Sequence, residues 1–276
     1  MTAVAAGLSP DWLALREPAD AAARDAGLVA QLRRLLRPGP VVVHDLGAGT
    51  GSMGRWLAPQ LAGSQHWVLH DREPGLLAAA VAAFPGTAAD GSAVTVETRQ
   101  RDLATVDPGE LGGASLITAS ALLDMLTATE VERLVGLCTD AACPALLTLS
   151  VVGRVELDPA DPLDAAVTAA FNAHQRRTTG GRRLLGPDAV DLAARLFARL
   201  GAEVVRRPSP WRLGPADPAL VSAWFEGWWG AAREQRPELA APAAAWVERR
   251  RAAAAAGRLR VAVHHDDLLV RPPERR

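Results

Sequence analysis

The sequence contains no lysine and no tyrosine, and only two of its 276 residues are cysteine. Every strongly basic residue is therefore an arginine, and we expect any general base to be His, Asp or Glu. Cys138 and Cys143 lie in no CxxC or Cys/His pattern, so neither a disulfide framework nor a metal site is expected. The formal net charge is −1 without a concentrated basic stripe, and we expect no nucleic-acid partner.

Long apolar segments are missing as well. No uninterrupted apolar run is long enough to span a bilayer, and the N-terminus lacks the pattern of a signal peptide. The apolar fraction of 49% is that of an ordinary globular protein. We therefore expect a cytoplasmic protein without a membrane partner, of undetermined oligomeric state. The run Arg249 to Arg251 is predicted to be a solvated helix face.

Apolar, β-branched runs alternate with helical patterns from residue 41 onwards, which is typical of βαβ units around a parallel sheet. Seven strands are predicted, at residues 41–46, 66–71, 94–99, 115–120, 145–151, 203–207 and 259–270. A helix is predicted from Pro187 to Leu200, ended by Gly201. The fold class is therefore α/β, with a doubly wound, mostly parallel sheet.

Two parts are expected along the chain. Residues 1–40 form an N-terminal helical extension, with a helix from Ala21 to Leu36, and residues 41–276 form the α/β domain. Two helical insertions interrupt the alternation, at about 156–185 and at the tryptophan-rich 217–257. Insertions at the ends of a doubly wound sheet usually form the wall of the ligand crevice.

A glycine-rich turn, Gly47-Ala-Gly-Thr-Gly51, follows the first strand directly. Glycines let the backbone pass close to a ligand, and the amides of a following helix face it. The dinucleotide fingerprint GxGxxG fails at Ser52 when read from Gly47. Read from Gly49 it is completed by Gly54, so the turn alone does not exclude NAD.

The segment Asp45-Leu-Gly-Ala-Gly-Thr-Gly51 resembles motif I of the class I, Rossmann-like S-adenosylmethionine-dependent methyltransferases. His70-Asp71 at the end of the second strand resembles the ribose-binding position, and Arg101-Asp102-Leu103 resembles the adenine-binding position. Leu116-Ile-Thr-Ala-Ser120 resembles the fourth strand, whose end lies beneath the methyl donor. The resemblance covers residues 41–151 well and the rest more loosely, and it implies seven strands with the last antiparallel.

The resemblance also implies S-adenosylmethionine as the cofactor and a set of donor-binding positions. Arg16 is included because an N-terminal helix often closes over the donor in small-molecule branches, where an arginine can pair with the methionine carboxylate. The implied donor-binding residues are Arg16, Asp45, Gly47, Ala48, Gly49, Gly51, Asp71, Arg72, Asp102, Leu103 and Ser120.

The acceptor site is less well marked. After the fourth strand the chain reads Ser120-Ala-Leu-Leu-Asp-Met125, without the Asn-Pro-Pro-Tyr-like tetrapeptide of branches that methylate nitrogens in nucleic acids and proteins. Polar side chains concentrate in residues 170–177, which form either part of the substrate site or an ordinary polar surface helix. Tryptophans concentrate in the second insertion, where they either line the substrate site or form the core of the helix packing. The predicted substrate-binding residues are Phe171, Asn172, Arg177, Trp224 and Trp228.

His174 is predicted to act as general base or to orient the nucleophile. The other histidines fall in strands or beside the ribose acid, and a pKa near about 6.5 suits proton acceptance at neutral pH. Asp124, just beyond the fourth strand, is the second candidate.

We therefore expect an enzyme that transfers a methyl group from S-adenosylmethionine to an O or N nucleophile of a small molecule. Three alternatives stay open: a nicotinamide-dependent oxidoreductase, an RNA methyltransferase with a basic face, and a donor-binding protein without chemistry.

Overall fold

The computed structural model describes residues 9–273, which form one central sheet with helices around it. The strands are β1 (Val41–Leu46), β2 (Gln65–Asp71), β3 (Val94–Gln100), β4 (Leu116–Ser120), β5 (Ala145–Asp158), β6 (Thr178–Thr179), β7 (Arg182–Arg183), β8 (Glu203–Pro208), β9 (Trp211–Leu213) and β10 (Arg260–Arg271). The helices are α1 (Pro10–Ala23), α2 (Ala26–Leu35), α3 (Ser52–Leu57), α4 (Pro74–Ala82), α5 (Ala128–Ala141), α6 (Leu163–Gln175), α7 (Ala189–Arg199), α8 (Pro218–Gln235) and α9 (Ala240–Ala255).

The strand order of the sheet is β3-β2-β1-β4-β5-β10-β8, with β9 paired to the first half of β10. The strands from β3 to β5 pair in parallel, whereas β10 is antiparallel to both β5 and β8. This confirms the predicted α/β fold: a doubly wound, mostly parallel sheet that contains all seven expected strands, with the last strand antiparallel. The carboxyl ends of β1, β2 and β4 therefore meet at one edge.

Three apolar cores hold the elements together. One lies between the sheet and the helices α5 and α7, and a second lies between the opposite face and α2, α3 and α4. The third, which we call the aromatic core, lies among α6, α8, α9 and the extended ends of β5 and β10. Its aromatic members are Trp211, Trp224, Phe225, Trp228, Trp229 and Trp246.

The prediction for β5 was too short, because the strand continues to Asp158 instead of ending at Val151. Its second half pairs with the first half of β10, for example Leu157 opposite Val261. Arginine and acidic residues occupy part of this second half, and Gly153 has a φ of +75°. These features interrupt the apolar run on which the prediction rested.

The prediction of one helix from Ala21 to Leu36 was wrong, because two helices with a corner between them occupy this region. α1 ends at Ala23, and the Asp25 carboxylate accepts a hydrogen bond from the Leu28 backbone N–H at 2.7 Å to start α2. Arg24 therefore lies at the corner between the two helices. Residues 1–8 of the expected extension lie outside the described residues.

The first expected insertion contains α6 and the β6–β7 hairpin, and the second contains α8 and α9. Across residues 9–273, no helix combines the length and the apolarity that crossing a membrane requires.

The prediction that the arginine run of α9 forms a solvated helix face was wrong for Arg250. Arg250 is 4% exposed and donates to both oxygens of Asp164, while Arg249 and Arg251 pair with Asp161 and Glu226. Burial of Arg250 became possible because Asp164 on α6 neutralises its charge.

Replacing Trp228 with alanine should lower the free energy of unfolding by about 3–5 kcal/mol, because a large buried side chain leaves a cavity. Trp228 is 1% exposed, and its ring lies 5.1 Å from Trp224 and 6.0 Å from Trp246 between centroids. Chemical denaturation measures the change. The control Val81→Ala removes a side chain that is 45% exposed and should change the value by less than about 0.5 kcal/mol. Equal effects of the two variants would contradict the assignment of Trp228 to the core.

Candidate functional site

The glycine-rich loop after β1 is fixed to the end of β2 by two backbone donors. The Ala48 N–H donates to the His70 carbonyl at 2.9 Å, and the Gly49 N–H donates to Asp71 Oδ2 at 2.8 Å. Gly47 has a φ of +68°, and a Cβ on it would lie 2.9 Å from Leu122 Cδ1. The left-handed backbone conformation is what favours glycine there, and a Cβ would in addition displace the end of the Leu122 side chain.

Helix α1 lies across this loop. Glu17 on α1 forms a two-pronged ion pair with Arg55 on α3, at 2.7 and 2.6 Å, and Arg55 also donates to the Thr50 carbonyl. Leu13 on α1 has its Cδ1 3.7 Å from where a Cβ on Gly49 would lie. The side chains of α1 therefore form a cover over the glycines.

Arg24 reaches the same place from the corner between α1 and α2. Its Nη2 donates to Ser52 Oγ at 3.2 Å and to Ser120 Oγ at 3.0 Å, and its guanidinium lies over the Trp56 ring. The residue is 4% exposed, yet within residues 9–273 its Nε and Nη1 have no hydrogen-bond partner. A buried guanidinium with free donors is suited to binding a carboxylate or another anion.

Asp45, near the end of β1, is a buried acidic residue that, like Arg24, has a side-chain atom without a hydrogen-bond partner among the described residues. It is 1% exposed, and its Oδ1 accepts a hydrogen bond from Thr118 Oγ1 at 2.7 Å. Its Oδ2 has no partner in the described part of the chain. Burial raises the pKa of Asp45 to about 7, against the lowering effects of Thr118 and of the Arg24 charge. This carboxyl group therefore titrates near neutral pH.

The other donor-binding candidates fall into two groups. Gly51 is the N-cap residue of α3, with a φ of +81°, and Ser120 contacts Arg24, so both lie with the loop and Asp71. Asp102, Leu103 and Arg72 lie in the loops that follow β3 and β2. Asp102 is exposed and accepts from the Ala104 N–H, Leu103 packs on the core beside α5, and Arg72 is exposed beside Glu73.

Arg16 already has protein partners. Its guanidinium donates to both carboxylate oxygens of Asp20, at 3.0–3.2 Å, and lies over the Trp211 ring, whose Nε1 also donates to Asp20. Its role in donor binding stays a prediction. The sequence reasoning missed Arg24, although the helix cap at Asp25 marks a corner where an arginine can turn inward.

Two acceptor-side candidates lie in different surroundings. Asp124 is half-buried in the turn directly after β4, and burial raises its pKa to about 6, while the charge of Arg16 lowers it. His174 is buried between α6 and α8, with Nε2 3.6 Å from Glu234 Oε2 and Nδ1 3.3 Å from Arg177 Nη1. Burial lowers the pKa of His174. Asp124 is thus the one nearer to the end of β4.

The predicted substrate-binding residues lie around α6 and α8. Asn172 Nδ2 donates to the Gly153 carbonyl at 2.7 Å, and Phe171 packs on the aromatic core that contains Trp224 and Trp228. Their contact with a substrate stays a prediction. Among the described residues, no group of three or more His, Cys, Asp or Glu side chains is placed to hold a metal ion.

No family model matches the sequence, and the comparison with curated proteins found no match. Among solved structures, an O-methyltransferase family protein from Burkholderia thailandensis is 19% identical, with 71% of this chain and 53% of that chain covered and a TM-score of 0.46. A cyclopropane synthase from Mycobacterium tuberculosis is 11% identical (96% and 94% covered, TM-score 0.49). A putative sarcosine dimethylglycine methyltransferase from Galdieria sulphuraria is 16% identical (90% and 83%, TM-score 0.44).

The chain spans about half the length of the Burkholderia protein. Likeness this distant does not identify a substrate, and the fold is established by the strand order of the sheet itself.

The raised pKa of Asp45 predicts how stability depends on pH. The folded value, about 7, lies above the ordinary value of 3.8, so folding favours the protonated carboxyl. Its contribution to stability is fully present below about pH 4 and is lost as pH rises through 7. Asp45→Asn keeps an acceptor for Thr118 but cannot ionise. The unfolding free energy of the variant, minus that of the wild type, should therefore increase between pH 5 and 8 in urea titrations.

The control for this experiment is Asp90→Asn. Asp90 is fully exposed, and backbone hydrogen bonds from Ser92 and Gly63 lower its pKa, so the same difference should stay flat between pH 5 and 8. A flat difference for Asp45→Asn as well would show that Asp45 is ionised throughout this range.

Proposed function

We propose that this protein is an S-adenosylmethionine-dependent methyltransferase that acts on an O or N nucleophile of a small molecule. The observation that carries the proposal is the polar cradle around the loop after β1. It combines the loop's tie to Asp71, the unpartnered nitrogens of buried Arg24 and the unpartnered oxygen of buried Asp45. The resemblance of Asp45–Gly51 to motif I supplies the class of ligand.

The groups in the cradle match those of the proposed donor. Arg24 would bind the carboxylate of its amino-acid end through charge-assisted hydrogen bonds, and the free Asp45 oxygen would accept from its ammonium group. Asp71 would accept hydrogen bonds from the ribose hydroxyls. A positive charge beside Asp45 favours its ionised form, so binding at neutral pH would release a proton from this residue.

When bound, S-adenosylmethionine supplies an electrophilic methyl group. The chain's own contribution is to orient the reactants and to exclude water, which the cover formed by α1 over the glycines favours. A base is required only where the nucleophile carries a proton that must leave. We propose Asp124 for this step, because it follows β4 directly and its pKa of about 6 leaves it mainly ionised at neutral pH. His174 is the second candidate.

An RNA acceptor is less well supported. Phosphate binding needs a continuous basic face. The arginines of α9 pair with acidic residues, and in the hairpin region Arg176 and Arg182 pair with Asp188 and Glu130.

Calorimetry should detect binding of S-adenosylhomocysteine and none of NAD; the reverse would refute the proposed function. Asp71→Ala should weaken binding by roughly 10–100-fold, the cost of about 1.5–3 kcal/mol for losing hydrogen bonds to a charged group. Asp71→Asn separates two roles, since an amide oxygen can still accept from the Gly49 N–H. Affinity restored by Asn would show that the negative charge of Asp71 is not needed for binding. The neighbouring Glu73→Ala should leave the affinity unchanged, because Glu73 is exposed.

A screen of small hydroxyl and amine compounds for release of S-adenosylhomocysteine would identify an acceptor. With that acceptor, Asp124→Asn should lower kcat by about 10²–10⁴-fold while donor affinity stays the same. The wild-type rate should rise with pH through about 6, as Asp124 ionises. His174→Gln is the comparison variant, and loss of kcat in it alone would transfer the role of base to His174. Donor binding without turnover on any acceptor would favour a non-catalytic protein.

A further inference from the structure

Asp267 on β10 joins three segments that are far apart in the sequence. Its carboxylate is 1% exposed and accepts three hydrogen bonds. Oδ1 accepts from the Leu149 N–H at 2.8 Å and from Ser209 Oγ at 2.6 Å, while Oδ2 accepts from the Asp25 N–H at 2.9 Å. Asp267 has no role in the donor binding or the methyl transfer proposed above.

The contact with Asp25 fixes the corner that carries Arg24. The peptide after Arg24 is held by Asp267 Oδ2, and the Arg24 N–H donates to the Asp20 carbonyl at 3.1 Å. The backbone of Arg24 is therefore tied on both sides. From this fixed corner the Arg24 side chain reaches Ser52, which follows the glycine-rich loop, and Ser120.

The contact with Leu149 reaches Arg24 by a second route. Leu149 is a buried, non-glycine residue with a φ of +57°, a strained conformation that persists only where the surroundings hold it. The β5–β10 register shifts at this point, and the Leu149 N–H binds Asp267. The preceding residue, Thr148, donates from Oγ1 to Ser120 Oγ at 3.0 Å, and Ser120 is a partner of Arg24.

We infer that Asp267 is a positioning residue that aims the Arg24 guanidinium at the carboxylate-bearing end of the ligand. It acts through the backbone at Asp25 and, by way of Leu149, through the side chains of Thr148 and Ser120, and it does not itself contact the ligand. The inference rests on the proposed function. It predicts that Asp267 controls affinity for the amino-acid part of the donor and leaves affinity for the adenosine part unaffected.

The variant Asp267→Asn breaks one of the three contacts selectively. An amide has a single acceptor oxygen, which can serve Leu149 and Ser209 from the Oδ1 position. The amide nitrogen then faces the Asp25 N–H, and two donors cannot bond to each other. The corner at Arg24 is released, whereas the contact at Leu149 is kept.

Two ligands measured by calorimetry test the inference. S-adenosylhomocysteine carries the amino-acid end, and 5′-methylthioadenosine lacks it. Asp267→Asn should weaken binding of the first by about tenfold and leave the second unchanged. Arg24→Met should give the same selective loss, and the double variant should bind no more weakly than Arg24→Met alone, because both changes act on one interaction. Equal weakening of both ligands, or additive losses in the double variant, would overturn the inference.

The controls separate this inference from the proposed function. Asp266→Asn, beside Asp267 but paired with Arg206, should change neither affinity. If Asp267→Asn fails to fold, Ser209→Ala replaces it, because this variant removes one donor to Asp267 Oδ1. It should shift the ratio of the affinities for S-adenosylhomocysteine and 5′-methylthioadenosine in the same direction by a smaller factor. An unchanged ratio would again overturn the inference. A wild-type protein that binds neither ligand refutes the proposed function instead.

Discussion

The antiparallel insertion of β10 between β5 and β8 is the constraint on which the rest of the structure depends. Its second half joins β5 to β8 and brings Asp267 to the Leu149 N–H in the first half of β5. Its first half continues past the parallel strands together with β5 and β9, and that extension supports the aromatic core. One strand thus connects the packing of α6, α8 and α9 to the polar groups around the glycine-rich loop.

Strand positions could be predicted because a buried parallel strand is a short run of apolar, β-branched residues, and each such run is visible locally. The second half of β5 was missed because its pairing partner comes from the far end of the chain. Burial of Arg250 was missed for the same reason, since only folding brings Asp164 to it. The alanine and leucine content predicted one continuous helix through Arg24. In the structure the chain turns there, because the Asp25 side chain caps the start of a second helix.

In the candidate site, residues at the ends of strands or directly after them could be identified from the sequence, whereas those brought in by a corner or by a distant strand could not. Asp45, Asp71 and the glycines belong to the first kind; Arg24 and Asp267 belong to the second. Burial also changed the chemistry of the residues it enclosed. The pKa of Asp45 rises to about 7 because of its burial, a displacement that its place in a motif does not reveal.

The ion pair between Glu17 and Arg55 holds α1 over the glycines through charges that are both about one-quarter exposed, at 27% and 21%. Dissolved salt screens partly exposed pairs of this kind. A small molecule enclosed beneath α1 would escape as the helix lifts, and lifting separates these two side chains. Its residence time would therefore shorten as ionic strength rises, even where the contacts in the cradle itself are unaffected. The kinetics of release would in this way depend on a contact between α1 and α3 rather than on the groups that would bind the molecule.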